Sequence, residues 1–258
     1  NYCEARVQSF VKKSEKRCEA FCAHFGVCGG CKWQILPYAE QLHYKEKQVI
    51  DQLTRIGHLH IEETLPIADS EKTEFYRNKL EFTFSNKRWM TNEEIASNEK
   101  ITNPNALGFH IPGLFDKVVN VEKCYLQGNE SNEIRNFVRE FAYEHNYTFF
   151  DIRNHHGLLR NLIVRTTSTG EIMVLVAFYE NDTEKITTLL QALQQQFPQI
   201  TALLYVVNQK ANDTIHDQEI VCFAGRDYIV ETMEGLQFKI GAKSFYQTNS
   251  EQAHTLYS

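Results

Sequence analysis

The sequence predicts an α+β fold: a mixed or antiparallel sheet with packed helices, carrying a cysteine-rich loop ahead of it. Two observations predict the sheet and helices. Between Phe75 and Ile240, apolar or alternating runs of strand length recur. Two intervals between them hold apolar residues at helical spacing instead. The loop is read from Cys22, Cys28 and Cys31, which lie close together among Gly26, Gly29 and Gly30.

In chain order, residues 2–11 alternate loosely and read as one strand, too short to fold alone. After the cysteine loop, Leu42, Val49, Leu53 and Ile56 share one face of a helix between Tyr38 and Gly57, with Gly57 as its stop. Strands are expected at Lys79–Ser85, Ala106–Ile111 and Lys117–Val121. A helix follows with Ile134, Phe137, Val138 and Phe141 on one face and Glu130 and Glu133 in its favourable first turn. Strands Leu159–Thr167 and Glu171–Tyr179 flank a Ser168-Thr169-Gly170 turn. The next helix starts near Asn181, which has capping-box spacing to Glu184. It carries Ile186, Leu189, Leu190, Leu193 and Phe197, and stops at Pro198. Strands Thr201–Val207, Glu219–Ala224, Asp227–Thr232 and Leu236–Ile240 complete the domain, and Asn249 caps a final helix-like stretch. The order strand–strand–helix–strand thus occurs twice, around 106–150 and 159–207, a weak hint of a repeat.

No run of eighteen apolar residues and no export signal is present, and seven cysteines are an odd number. A reducing, cytoplasmic setting is the expectation rather than a disulfide framework. The net charge of −6 argues against RNA binding by the whole surface. Cations nevertheless gather at Arg6, Lys12, Lys13, Lys16 and Arg17, and again at Arg77, Lys79, Lys87 and Arg88. A solvated face is the plain alternative for both groups.

The cysteines have the spacing C-x5-C-x2-C at Cys22, Cys28 and Cys31, with Cys124 far downstream. Three close thiols and one remote one suit a 4Fe–4S cluster better than structural zinc, which typically uses two short pairs. Unligated buried cysteines remain the third reading, and Cys18 competes with Cys22 as first ligand. Cys3 and Cys222 are expected in the core.

The run Cys22-Ala23-His24-Phe25-Gly26-Val27-Cys28-Gly29-Gly30-Cys31-Lys32-Trp33-Gln34 resembles the cluster motif of RumA-type bacterial 23S rRNA (uracil-5-)-methyltransferases. Tyr76-Arg77-Asn78-Lys79, Leu107-Gly108-Phe109, Gly157-Leu158-Leu159-Arg160-Asn161 and Ser244-Phe245-Tyr246-Gln247-Thr248-Asn249 match in the same order. The resemblance implies a family that uses S-adenosylmethionine to methylate carbon 5 of a uridine. A cysteine thiolate adds to carbon 6, carbon 5 takes the methyl group, and a general base removes the proton. It implies Cys22, Cys28, Cys31 and Cys124 as cluster ligands, Phe245 under the flipped uracil and Gln247 beside the methyl donor. Arg77 and Lys79 are expected to contact RNA, most plainly 23S rRNA. Without the resemblance, Phe245 would read as a core aromatic.

The resemblance also divides the chain. Residues 1–13 are expected as the last strand of an RNA-binding barrel, 14–37 as the cluster loop and 38–60 as a helix that packs on the catalytic domain. Residues 61–243 form the central RNA-binding domain, and 244–258 start the methyltransferase domain. The family's catalytic cysteine, base and glycine-rich donor loop follow the Ser-Phe-x-Gln segment, so no catalytic residue is assigned here. This chain alone is expected to be inactive, and its helix 38–57 to favour self-association. The rival readings are a stand-alone iron–sulfur electron-transfer module and a zinc-stabilised RNA-binding protein.

Overall fold

The computed structural model describes residues 3, 5, 7–97 and 103–258. The chain divides into two compact units.

The first unit comprises the described residues of Asn1–Phe25 together with Cys31–Glu71. Its one long element is helix α1 (Tyr38–Asp51), which loosens into a π-helical turn (Gln52–Ile56) and ends at Gly57, as its sequence predicts. Thr54 Oγ1 donates back to the Ile50 carbonyl at 2.7 Å, the kind of side-chain insertion that perturbs a helical ladder. Asp51 accepts from Lys47 at 2.8 Å and pairs with Arg55 at 3.3 Å, and Lys16 reaches Glu40 at 2.7 Å. No residue of α1 or its π turn is buried. The strand expected over 2–11 is not formed by its described residues, because a lone strand has no ladder to join. Arg6 lies outside the described residues.

The second unit, Gly26–Gly30 with Lys72–Ser258, holds a seven-stranded sheet. Its strands are β1 (Lys79–Ser85), β2 (Ala106–Ile111), β3 (Leu114–Asn120), β4 (Leu159–Thr166), β5 (Ile172–Phe178), β6 (Ile200–Val207) and β7 (Val221–Gly225). They lie in the order β3-β2-β1-β4-β5-β6-β7. All neighbours are antiparallel except β5 and β6. That one parallel pair needs a crossover, which helix α4 (Thr183–Gln196) provides.

Alternation along β4 and β5 explains the layers. Leu162, Val164, Val174, Val176 and Phe178 join helices α3 (Asn129–Glu144) and α4 on one side. Ile163, Met173, Leu175 and Ala177 meet the hairpin β8 (Tyr228–Met233) and β9 (Leu236–Gly241) on the other. Both strands are therefore buried almost throughout.

Several expectations are adjusted. The cap of α4 is Asp182, whose carboxylate accepts from Lys185 N at 3.1 Å, not Asn181. Cys3 and Cys222 are exposed rather than core. For Cys222 the reason is that β7 is an edge strand, paired only with β6. A short helix α2 (Asn92–Ala96) carries no apolar period and was not foreseen. The strand–strand–helix–strand order is complete only in the second half; in the first, α3 leads into single bridges at Phe149 and Asp151. No helix among the described residues is long and apolar enough to cross a membrane.

Candidate nucleic-acid interface

Two segments singled out in the sequence meet in the second unit. The Asn78 N–H donates to Thr248 O at 2.7 Å, and its Nδ2 donates to Gln247 O and Ser250 Oγ, both at 2.8 Å. Ser250 Oγ donates onward to Glu231 at 2.9 Å. Glu231 is fully buried, and its carboxylate also accepts from Ser168 N, Ser168 Oγ and Thr232 N. Charge-assisted bonds of this kind offset the cost of burying a carboxylate. The Ser244–Asn249 segment is thereby fixed to the start of β1. Helix α5 (Ser250–Tyr257) follows, capped by the Asn249 side chain on Gln252 N at 3.0 Å.

Within that segment neighbouring rings point opposite ways. Tyr246 packs against the hairpin-side core, 5.9 Å from the Phe238 ring. Phe245 is 87% exposed, which rules out its reading as a core aromatic. Gln247 is half-buried, and its Nε2 donates to Tyr257 Oη at 3.2 Å.

Phe245 borders a cleft of about 790 Å³, inside the usual range for ligand pockets of roughly 300–1,000 Å³. Arg77, Lys79 and Glu81 line it from β1 and the residues before it, Ile163 and Arg165 from β4, and Asp213–His216 from a loop. Arg160 builds that loop. It is 1% exposed, donates to Asn208 O and Lys210 O at 2.7 Å each, and forks onto Asp213 Oδ1 at 2.9 and 3.1 Å. Its guanidinium lies 4.7 Å from the Phe150 ring centroid. Upstream in the same motif, Gly157 has φ +111°, and a Cβ there would lie 2.4 Å from Phe149 O, so only glycine fits.

The second cationic group splits in two. Lys87 pairs with Asp151 at 3.2 Å and Arg88 with Glu94 at 2.8 Å, which makes them structural. Arg77 and Lys79 stay on the cleft. Arg77 Nε donates to Lys79 O at 3.0 Å, and Lys79 Nζ is 3.8 Å from Glu81. Burial holds the Lys79 ammonium below its ordinary pKa, with the Arg165 charge adding to the effect, and burial raises Glu81.

The cysteine loop contributes to both units. In the second, Gly29 N donates to His110 O at 3.0 Å, and a Cβ at 29 would lie 2.5 Å from that oxygen. Gly30 N points to Cys28 Sγ at 3.4 Å. Cys124 is buried and exchanges two bonds with Asn132, at 2.7 and 2.9 Å. Beside it Arg135, fully buried, donates to Val121 O, Asn132 Oδ1 and Glu122 O. Burial pushes the Arg135 guanidinium down, and Cys124 draws it back up. In the first unit, Cys22 N donates to Gln34 Oε1 at 3.3 Å, while Cys18 is exposed with its sulfur on Gln34 O. A sulfur already receiving an amide N–H and a thiol beside a buried cation are chemistry that suits thiolate ligands. Among the described residues, however, no three His, Cys, Asp or Glu side chains are gathered as a metal site.

No protein-family model matches the chain. It is 57% identical over 259 residues to an uncharacterized RNA methyltransferase of Bacteroides thetaiotaomicron, the match covering 99% of this chain and 57% of that protein. It is 55% identical over 262 residues to one of Porphyromonas gingivalis, covering all of this chain and 56% of that protein. The chain thus spans a little over half the length of these curated relatives. Among solved structures it resembles Pyrococcus abyssi tRNA (uracil-54, C5)-methyltransferase in complex with S-adenosyl-L-homocysteine. The TM-score is 0.65 at 25% identity, over 95% of this chain and 51% of that one.

Proposed function

We propose that this chain is the RNA-handling part of an S-adenosylmethionine-dependent methyltransferase acting on carbon 5 of a uridine. One observation carries the reading: the Tyr-Arg-Asn-Lys and Ser-Phe-Tyr-Gln segments are bonded together through Asn78, and they present an exposed aromatic ring beside a cationic cleft. An unstacked base needs such a face, and a backbone phosphate such charge. In this reading Phe245 stacks on the target base, Gln247 lies towards the methyl donor, and Arg77 and Lys79 meet RNA. The relatives' names support an RNA substrate, and the solved neighbour, a tRNA (uracil-54, C5)-methyltransferase, supports uracil carbon 5. That neighbour favours tRNA, whereas the cysteine motif favours 23S rRNA. Either substrate is consistent with the cytoplasmic setting expected from the sequence.

Cys22, Cys28, Cys31 and Cys124 are the residues that would hold a 4Fe–4S cluster, supported by their spacing, the Gly30 amide on Cys28 and the cation beside Cys124. Such a cluster, when bound, supplies a rigid cross-link among four thiolates. Acid-labile sulfide after anaerobic reconstitution tests it, and retention in a Cys28→Ala, Cys31→Ala double variant would exclude it. The test of the main reading is binding to single-stranded uridine oligonucleotides. Phe245→Ala is expected to weaken it by about 1–3 kcal/mol, and unchanged binding would remove Phe245 from the interface. Methyl transfer from labelled S-adenosylmethionine is expected from protein of the relatives' full length and not from this chain alone.

A further inference from the structure

Strand β4 carries two deeply buried arginines with opposite surroundings. Arg160 is saturated by two carbonyls and a carboxylate. Arg165 is 6% exposed; its Nη2 donates to Ser244 O at 2.7 Å and to Ala242 O at 3.4 Å, but its Nε is buried with no hydrogen-bond partner among the described residues. An unmade bond on a buried guanidinium is costly. The side chain lines the cleft.

The neighbouring cations narrow the candidates further. Lys243 also lines the cleft, but its Nζ is taken by Gln218 O at 2.6 Å. Arg77 Nε is taken by Lys79 O. Lys79 stands directly opposite Arg165 in the β1–β4 ladder. Of the two carboxylates on the cleft, Asp213 is held by Arg160, and Glu81 is 3.8 Å from Lys79 Nζ. Two like charges facing each other in a half-desolvated cleft favour the arrival of an anion with several acceptor oxygens.

We infer that Arg165 and Lys79 form a phosphate-binding station in the cleft beside Phe245, taking a phosphodiester of a bound single-stranded RNA. The inference rests on the RNA reading above and adds the residue that reading lacked. The phosphate meets the Arg165 guanidinium from the cleft while Ser244 O keeps its plane fixed, and Lys79 adds a second charge. The exposed Phe245 ring on the same cleft is then available to a base of the strand. The station thereby ties backbone position to base position, as phosphate contacts do when they set register.

The test follows the Arg165 Nε–H signal by proton–nitrogen NMR, assigned by its loss in Arg165→Lys. The probes are a short uridine oligoribonucleotide, the same oligomer with uncharged methylphosphonate linkages, and inorganic phosphate. The charged oligomer is expected to move the signal and the uncharged one to leave it in place. Lys79→Met is expected to weaken oligomer binding about tenfold and to lower its salt slope by about one unit. Arg165→Lys keeps the charge, so affinity falls while the slope holds; Lys79→Met serves alone if Arg165→Lys misfolds. If the charged oligomer binds but the Arg165 signal does not move, or both variants bind as the parent does, the station is overturned and the RNA reading stands. If no oligomer binds, the RNA reading fails. Inorganic phosphate then decides: a moved signal keeps an anion station for free phosphate, and an unmoved one overturns it.

Discussion

Helix α1 with its π-helical turn and the paired strands β4 and β5 both carry an apolar pattern, yet the first buries none of its residues and the second nearly all. The difference lies in what the pattern needs. A two-faced strand run is satisfied inside one sheet once α3 and α4 cover one side and the β8–β9 hairpin the other. A single amphipathic stripe is satisfied only by a matching surface, and Val49, Leu53 and Ile56 remain exposed. Apolar content alone therefore does not mark what is stabilising.

The largest effect should come from the covered region. Phe178, fully buried in the helix-side core, is expected to cost about 3–5 kcal/mol on replacement by alanine. Chemical denaturation measures this, and a loss below 1 kcal/mol would break the contrast.

Next comes Asp151, buried beside the sheet. Burial alone would raise its pKa, but bonds from Asn86, Asn154 and the Arg153 amide hold it well below the usual carboxylate range. A lowered folded pKa gives stability that is full above the unfolded value of about 4 and lost as pH falls below it. Asp151→Asn is expected to cost roughly 2 kcal/mol at neutral pH. It should also flatten the fall in stability below about pH 4; an unflattened acid limb would assign that fall to other carboxylates.

Gly29→Ala is expected to cost roughly 1–3 kcal/mol, because the new Cβ meets a backbone oxygen that has no rotamer to relieve it. Thermal melts read this, and an unchanged midpoint would show that the loop gives way. The smallest effect belongs to the π-helical turn that follows α1, where Leu53→Ala should stay within about 0.5 kcal/mol. Sedimentation should instead show concentration-dependent self-association that Leu53→Glu reduces. A monomer at all concentrations, with a costly Leu53→Ala, would mean that the stripe belongs to a core.

The legible parts of this fold are those where local pattern and final burial agree. β1 and β2 fall on their expected bounds because their alternation matches a half-covered sheet, and Gly57 ends the α1 region as a glycine should. Asp182 displaced Asn181 as a cap because adjacent capping residues differ only in backbone direction, which composition does not carry. Cys222 went astray because edge position is a property of the sheet order. At the site, Phe245, Gln247, Arg77 and Lys79 were named from sequence motifs, and Phe245 and Tyr246 separated only once the chain's exit from β9 was known. Arg165 was missed because its signal is a ladder register and one absent bond, and neither leaves a trace in residue type.

The position of β1 in the sheet has a consequence for synthesis. Within the seven-stranded sheet it is the first strand in chain order, yet it lies between β2 and β4, and β4 starts at Leu159. At roughly 5–20 residues per second, a ribosome takes about 4–16 s to travel from one to the other. During that interval one edge of β1 has no partner, while Phe82 and Phe84 await the core that Leu162 and Val164 will complete. The nascent chain is therefore most open to chaperones, and to pairing with its neighbours on a polysome, while residues 86–158 are being made.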